Sequence, residues 1–226
     1  MWFSPGGLGL ARPALGVLLL LATAAFLFGH RLGQYQEATA AKPYMLRVPT
    51  VVRPLEQEAV DRVARRIAGR PVRMECEYDV PGGRAFPEAG TAVVSAYLCS
   101  DIAYLRAGLR PSERACLLAG AYPCPGRVSQ MAIALHVFTH EAVHLRGIHD
   151  ERQTDCYAIQ LLPWTARWFG VPLDLARAFG RYHWAGYGQA PRNGPFPAHV
   201  GGSQYGSPEC RPGGRYELGA PGGAWR

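Results

Sequence analysis

The pattern His140-Glu141-Ala142-Val143-His144 restricts this chain more than any other feature of it. It is carried in the stretch HVFTHEAVHLRGIHDERQTDCYAIQ, residues 136–160. Two histidines four positions apart share one face of a helix. Both imidazoles can therefore reach a single ion, and imidazole nitrogen suits tetrahedral zinc. Glu141 lies about 100° round the helix from His140, which puts it beside such an ion. A carboxylate there can take a proton from an activated water and pass it to a leaving amine. In a chain of this size the pattern arises by chance on the order of once in a hundred sequences. The surroundings strengthen it: an apolar stretch carries it, Gly147 stops the helix, and the acids Asp150 and Glu151 open another.

The flanking segments supply an α+β frame. Leu55, Ala59, Val60, Val63 and Ile67 recur at helical spacing, so a helix is expected over 54–68, started by Pro54 and ended by Gly69. VRMECEYDV (72–80) and AVVSAYLC (92–99) are strand candidates joined through a Pro-Gly-Gly turn region. Helices are expected over 112–118, over 128–146 with Ser129 as cap, over 151–168, and over 173–182. From about residue 186 the chain is rich in glycine and proline and reads as irregular.

An apolar run, PALGVLLLLATAAFLFG (13–29), lies between Arg12 and His30-Arg31. The nearest small-residue cleavage pattern, Ala38-Thr39-Ala40, is about ten residues past its end, far for a signal peptidase. The run is at the short limit for a span. The expectation is a single-pass signal anchor in the cell membrane, with secretion after cleavage as the alternative. Six cysteines, an even number, favour an oxidising compartment and an extracytoplasmic body. Cys116 and Cys124 suit a local loop, Cys76 and Cys99 would cross the two strands, and Cys156–Cys210 would then pin the tail. The sequence alone does not choose among the fifteen pairings. The net charge of +7 is scattered and almost wholly arginine, Lys42 being the single lysine. With no basic run and no nucleic-acid-binding motif, a nucleic-acid partner is not expected. The organisation expected is an N-terminal segment (1–12), the anchor (13–29), a juxtamembrane linker (30–53), one domain (54–185) and a C-terminal extension (186–226).

His-Glu-x-x-His resembles the motif of the zincin metallopeptidases, of which two branches compete here. Metzincins extend it to H-E-x-x-H-x-x-G-x-x-H, with Asp replacing the last His in some members; Gly147 and Asp150 fall at those positions. Gluzincins take a glutamate from a second helix, in E-x-x-x-D, which Glu151 and Asp155 fit. ERQTDCYA also resembles the E-x-x-A-D-C-x-A signature of a bacterial group of neutral zinc metallopeptidases. The resemblance covers about twenty-five residues. Three points favour Glu151 as third ligand, with Asp150 the alternative. The methionines, Met1, Met45, Met74 and Met131, all precede or lie within the motif helix, so the methionine turn of metzincins is missing downstream. Asp150 can cap the second helix, paired with Gln153. Asp155, one turn after Glu151, can accept the second ring N–H of a ligand histidine.

The resemblance implies a small zincin-like α+β domain with one zinc ion per chain, held by His140, His144 and Glu151. Glu141 would be the catalytic base and Asp155 the supporting acid. It also implies a Tyr or His donor to the developing oxyanion, for which His183 and Tyr187 rank ahead of Tyr157. AVVSAYLC would be the strand that aligns a peptide. His136 is about 12 Å along the axis from His144, too far to share an ion, and reads as a packed or substrate-facing histidine; His149 reads as exposed. The function expected is a membrane-anchored, extracytoplasmic zinc metallopeptidase acting on a peptide or protein substrate. The alternative is a non-catalytic, zinc-stabilised binding or scaffold protein.

Overall fold

The computed structural model describes residues 55–189, 207 and 209–219, without the side chains of 187–189. The apolar run 13–29, the linker 30–53 and most of the tail lie outside the described residues. No helix among the described residues is long and apolar enough to cross a membrane.

The architecture is α+β. Helix α1 (Gln57–Ala68) leads into strand β1 (Arg73–Glu77). Strand β2 (Gly83–Phe86), a 3-10 turn (Pro87–Ala89) and strand β3 (Thr91–Ser95) follow. Five more helices complete the body: α2 (Ala96–Ala107), α3 (Pro111–Leu118), α4 (Val128–His144), α5 (Glu151–Trp168) and α6 (Leu173–Gln189). Helix α4 is the hub, packing against α1, α2, α5, α6 and strands β2 and β3. Its buried residues run almost unbroken from Met131 to Val143, as befits a helix enclosed on all sides. Helix α1 buries one stripe, Ala59, Val60, Val63, Ala64 and Ile67, and ends at Gly69, whose φ of 69° is left-handed. Its polar face also serves β1: Asp61 Oδ1 accepts from the Met74 N–H at 3.0 Å, and Gln57 Nε2 donates to the Met74 carbonyl at 2.6 Å. These side chains occupy main-chain groups that an edge strand would otherwise expose.

The sheet departs from the expected hairpin. Its order is β1-β3-β2. β1 and β3 run parallel, Arg73 opposite Thr91 and Glu77 opposite Ser95. β2 fits antiparallel against the far side of β3. The Pro81-Gly82-Gly83 region does not close a hairpin between the two predicted strands; it opens an intermediate strand, and Pro87–Ala89 turns the chain back. The strand expected to run to Cys99 ends at Ser95. The β-branched run Thr91, Val93, Val94 stops there, and Leu98, Ile102 and Leu105 continue at helical spacing, all buried. β3 is thus the central strand, paired on both sides, and the substrate-aligning role expected of AVVSAYLC does not fit it; the edge strands are β1 and β2.

Helix α5 has the expected bounds. Asp150 caps it, Oδ1 accepting from the Gln153 N–H at 2.8 Å. The Gln153 side chain turns to the Tyr157 hydroxyl, so the reciprocal half of the capping box is not made. Ser129 does not cap α4: its hydroxyl meets the Tyr182 hydroxyl at 2.7 Å, and Arg127 occupies the cap position. α4 ends at His144, two residues before the expected bound, and Gly147, at φ 88°, turns the chain toward α5. α6 runs seven residues beyond the expected 182.

Three disulfides close the body: Cys76–Cys99, Cys116–Cys124 and Cys156–Cys210. Cys76–Cys99 joins β1 to α2, because residue 99 is helical. Cys156–Cys210 fastens the tail to α5, where Gln160 donates to the Tyr216 carbonyl and accepts from the Leu218 N–H, each at 2.7 Å.

Candidate metal centre

Helix α4 presents His140 and His144 one turn apart, and the tight connection through Gly147 brings the first residue of α5, Glu151, over both. Three atoms converge. His140 Nε2 is 3.0 Å from His144 Nε2 and 3.1 Å from Glu151 Oε2. His144 Nε2 is 3.4 Å from the same oxygen. Tetrahedral bonds of about 2.0–2.2 Å separate donor atoms by about 3.3 Å, so this triangle has the dimensions of one face of a zinc site.

The remaining ring nitrogens fix the direction in which the imidazoles point. His144 Nδ1 lies 2.7 Å from the Ile148 carbonyl oxygen. A carbonyl only accepts, so Nδ1 carries the hydrogen. Burial and the neighbouring His140 charge hold the His144 pKa below its usual value, and its Nε2 therefore offers a lone pair to the triangle. His140 Nδ1 faces Asp155 Oδ1 at 3.7 Å. Burial opposes charge on His140, but hydrogen bonds to Asp155 and Glu151 and the field of Glu141 outweigh it, raising the pKa to about 9. Two nitrogen lone pairs and a carboxylate oxygen repel at these distances unless a hydrogen or a metal ion lies among them, and a hydrogen on His140 Nε2 can fill that place. The hydrogen bond with His140, partly offset by burial, holds the Glu151 pKa below the usual carboxylate range.

Glu141 stands beside the triangle, not in it. It is almost wholly buried. Burial pushes its carboxyl up to about 7, against the lowering effect of His140 and of the Ala85 N–H, which donates to it; Glu151 pushes the same way as burial. β2 passes close enough that a Cβ built on Gly83 would fall 2.4 Å from Glu141 Cγ. Only glycine permits that approach.

The structure thus brings His140, His144 and Glu151 together, with Asp155 behind His140 and Glu141 alongside. Asp150 is exposed and engaged in the cap. His149 is exposed. His183 is buried on the far side of Asp155, its Nε2 3.0 Å from His136 Nδ1, and it is not one of the triangle's groups. The Tyr187 side chain lies outside the described residues. Tyr157 binds Gln153.

Comparison with family models, curated proteins and solved structures finds no match to this chain. The site therefore stands on its own geometry.

Sequence reasoning missed one grouping. His136 Nε2 meets Asp155 Oδ1 at 2.8 Å, and His136, His140 and Asp155 form a second cluster of metal-competent atoms within 4.8 Å of one another, all buried. His136 precedes His140 by one turn on the same helix face, and Asp155 follows Glu151 by one turn. The facing rows of α4 and α5 were the available signal, and pairing them completely would have found it.

Proposed function

We propose that the protein is a zinc metallopeptidase of zincin type, with zinc held by His140, His144 and Glu151 and water hydrolysis of a peptide bond assisted by Glu141. The observation that carries this reading is the donor triangle, with its 3.0–3.4 Å edges and both histidine Nδ1 groups turned away toward oxygen acceptors. When bound, zinc supplies Lewis acidity and lowers the pKa of water. Asp155 and the Ile148 carbonyl keep both Nε2 lone pairs aimed inward. Glu141, buried beside the triangle, would accept a proton from the attacking water and return it to the leaving amine. The Glu151 side chain, 42% exposed, leaves one side of the triangle open to solvent. The three disulfides support an extracytoplasmic site of action, and the apolar run 13–29 supports attachment to the membrane.

One observation favours the second reading, a zinc-stabilised scaffold without activity: the Glu141 carboxyl is already enclosed by Gly83 and bound by the Ala85 N–H. A peptide-library digest by the purified ectodomain, with and without chelator, separates the two. Chelator-sensitive cleavage that disappears in Glu141→Gln, with zinc content unchanged, supports the peptidase. No such cleavage across a broad library by the zinc-loaded wild type supports the scaffold.

A further inference from the structure

Behind the donor triangle runs a row of buried polar groups that the proposed mechanism does not use. His183 of α6, His136 of α4 and Asp155 of α5 follow one another, and Asp155 then faces His140. All three are buried. Buried polar groups persist where their hydrogen bonds are arranged consistently, and one arrangement fits the three contacts of this row. A carboxylate accepts only, so His136 Nε2 carries the hydrogen that reaches Asp155. His136 Nδ1 is then an acceptor, and His183 Nε2–H donates to it. His140 Nδ1–H approaches the same carboxylate. Every N–H in the row is thereby directed toward Asp155.

We propose that His136 and His183 are positioning residues of the metal centre, holding the Asp155 carboxylate on His140 Nδ1 and so aiming His140 Nε2 at the ion. The proposal rests on the metal reading above and extends it to residues two shells from the ion, on a helix, α6, that contributes nothing to the donor triangle. Supporting carboxylates tune the affinity of the histidines they hold; here the carboxylate is itself held, from a third element. A single carboxylate lying between two histidines can tilt toward either. The His183–His136 hydrogen bond anchors the far side. The second cluster, His136, His140 and Asp155, accordingly serves as a hydrogen-bonded support. An ion placed there would displace the hydrogens that orient both rings.

The test measures zinc and cobalt affinity by chelator competition in wild type, His136→Leu and His136→Gln, alongside the melting temperature of each metal-free protein. The glutamine amide reproduces a donor near the Nε2 position. We expect His136→Leu to bind 10–100-fold more weakly and to alter the cobalt absorption spectrum, with His136→Gln recovering most of the affinity. Equal affinity in all three overturns the proposal, as does a stoichiometry of two ions per wild-type chain. Where His136→Leu fails to fold, His183→Leu carries the same comparison. Wild type that binds neither metal removes the metal reading itself, and this proposal with it; metal bound equally by wild type and variants removes this proposal alone.

Discussion

Gly83 and Glu141 pack so closely that residue 83 has no room for a side chain: a methyl group there would fall 2.4 Å from Glu141 Cγ and 2.6 Å from its Oε1. The edge strand thereby sets where the buried carboxyl rests. Gly83→Ala should displace Glu141 and destabilise the protein by about 1–3 kcal/mol, the usual cost of overpacking. The same change in a Glu141→Ala background, where the obstructing atoms are gone, should cost far less. Urea denaturation of the four proteins of this cycle reads the coupling, and equal costs in both backgrounds would refute the contact.

Glu151 and Asp150 are adjacent in the chain but differ in their work. Glu151→Ala should lose stoichiometric zinc, measured by elemental analysis. Asp150→Ala should keep zinc and lose about 1 kcal/mol of stability, the usual worth of a helix cap. The opposite pattern would make Asp150 the ligand.

The metal-free protein should lose stability as pH rises from 6.5 to about 9. His140 is the cause: its folded pKa is raised, so the stability it contributes is complete below 6.5 and gone above about 9. Glu141, raised from 4.5 to about 7, acts in the same direction at lower pH, since the folded protein holds its proton more tightly than the unfolded chain does. His144, whose pKa is lowered, withdraws stability as pH falls below 6.5. Zinc must displace the His140 proton, so its affinity should climb with pH and level off near 9. Melting curves of chelated protein and competition titrations across this range test both trends; a flat zinc affinity would contradict the second.

Loss of the Cys156–Cys210 bridge should be costly. The bridge closes a span of 54 residues, for which the chain-entropy estimate is about 4 kcal/mol. Replacing both cysteines by serine should lower the denaturation midpoint and release the Tyr216–Leu218 backbone from Gln160. Proteolysis in the tail of the double variant, at sites resisted by wild type, would report that release.

Where sequence reading succeeded, the signal was local. Asp150 as a cap and the acid one turn past Glu151 are readable within a few turns of helix, and α5 has the expected bounds. The triangle His140, His144 and Glu151 spans a similarly short stretch. What escaped depended on distant partners. β1 pairs with β3 in parallel while β2 takes the far side of β3, and β2 is only four residues with Gly83 at its start. The end of β3 at Ser95 rests on the burial of Leu98 and Ile102 beneath α4, which overrides a strand-like reading of AVVSAYLC. Ser129 was a reasonable cap by residue type, but Tyr182, 53 residues away, takes its hydroxyl. His183 likewise met His136 only through the docking of α6 on α4.

The connection from His144 through Gly147 to Glu151 has a consequence for the order of assembly. His140 and Glu151 are eleven positions apart, so bringing them together closes a short loop at small entropic cost. During synthesis both helices of the donor triangle emerge well before Cys210 and the tail that it fastens. The growing chain therefore holds every donor of the centre while its last disulfide is still unmade, and an ion captured at that stage would dock α4 to α5 before the clasp that later secures α5 exists.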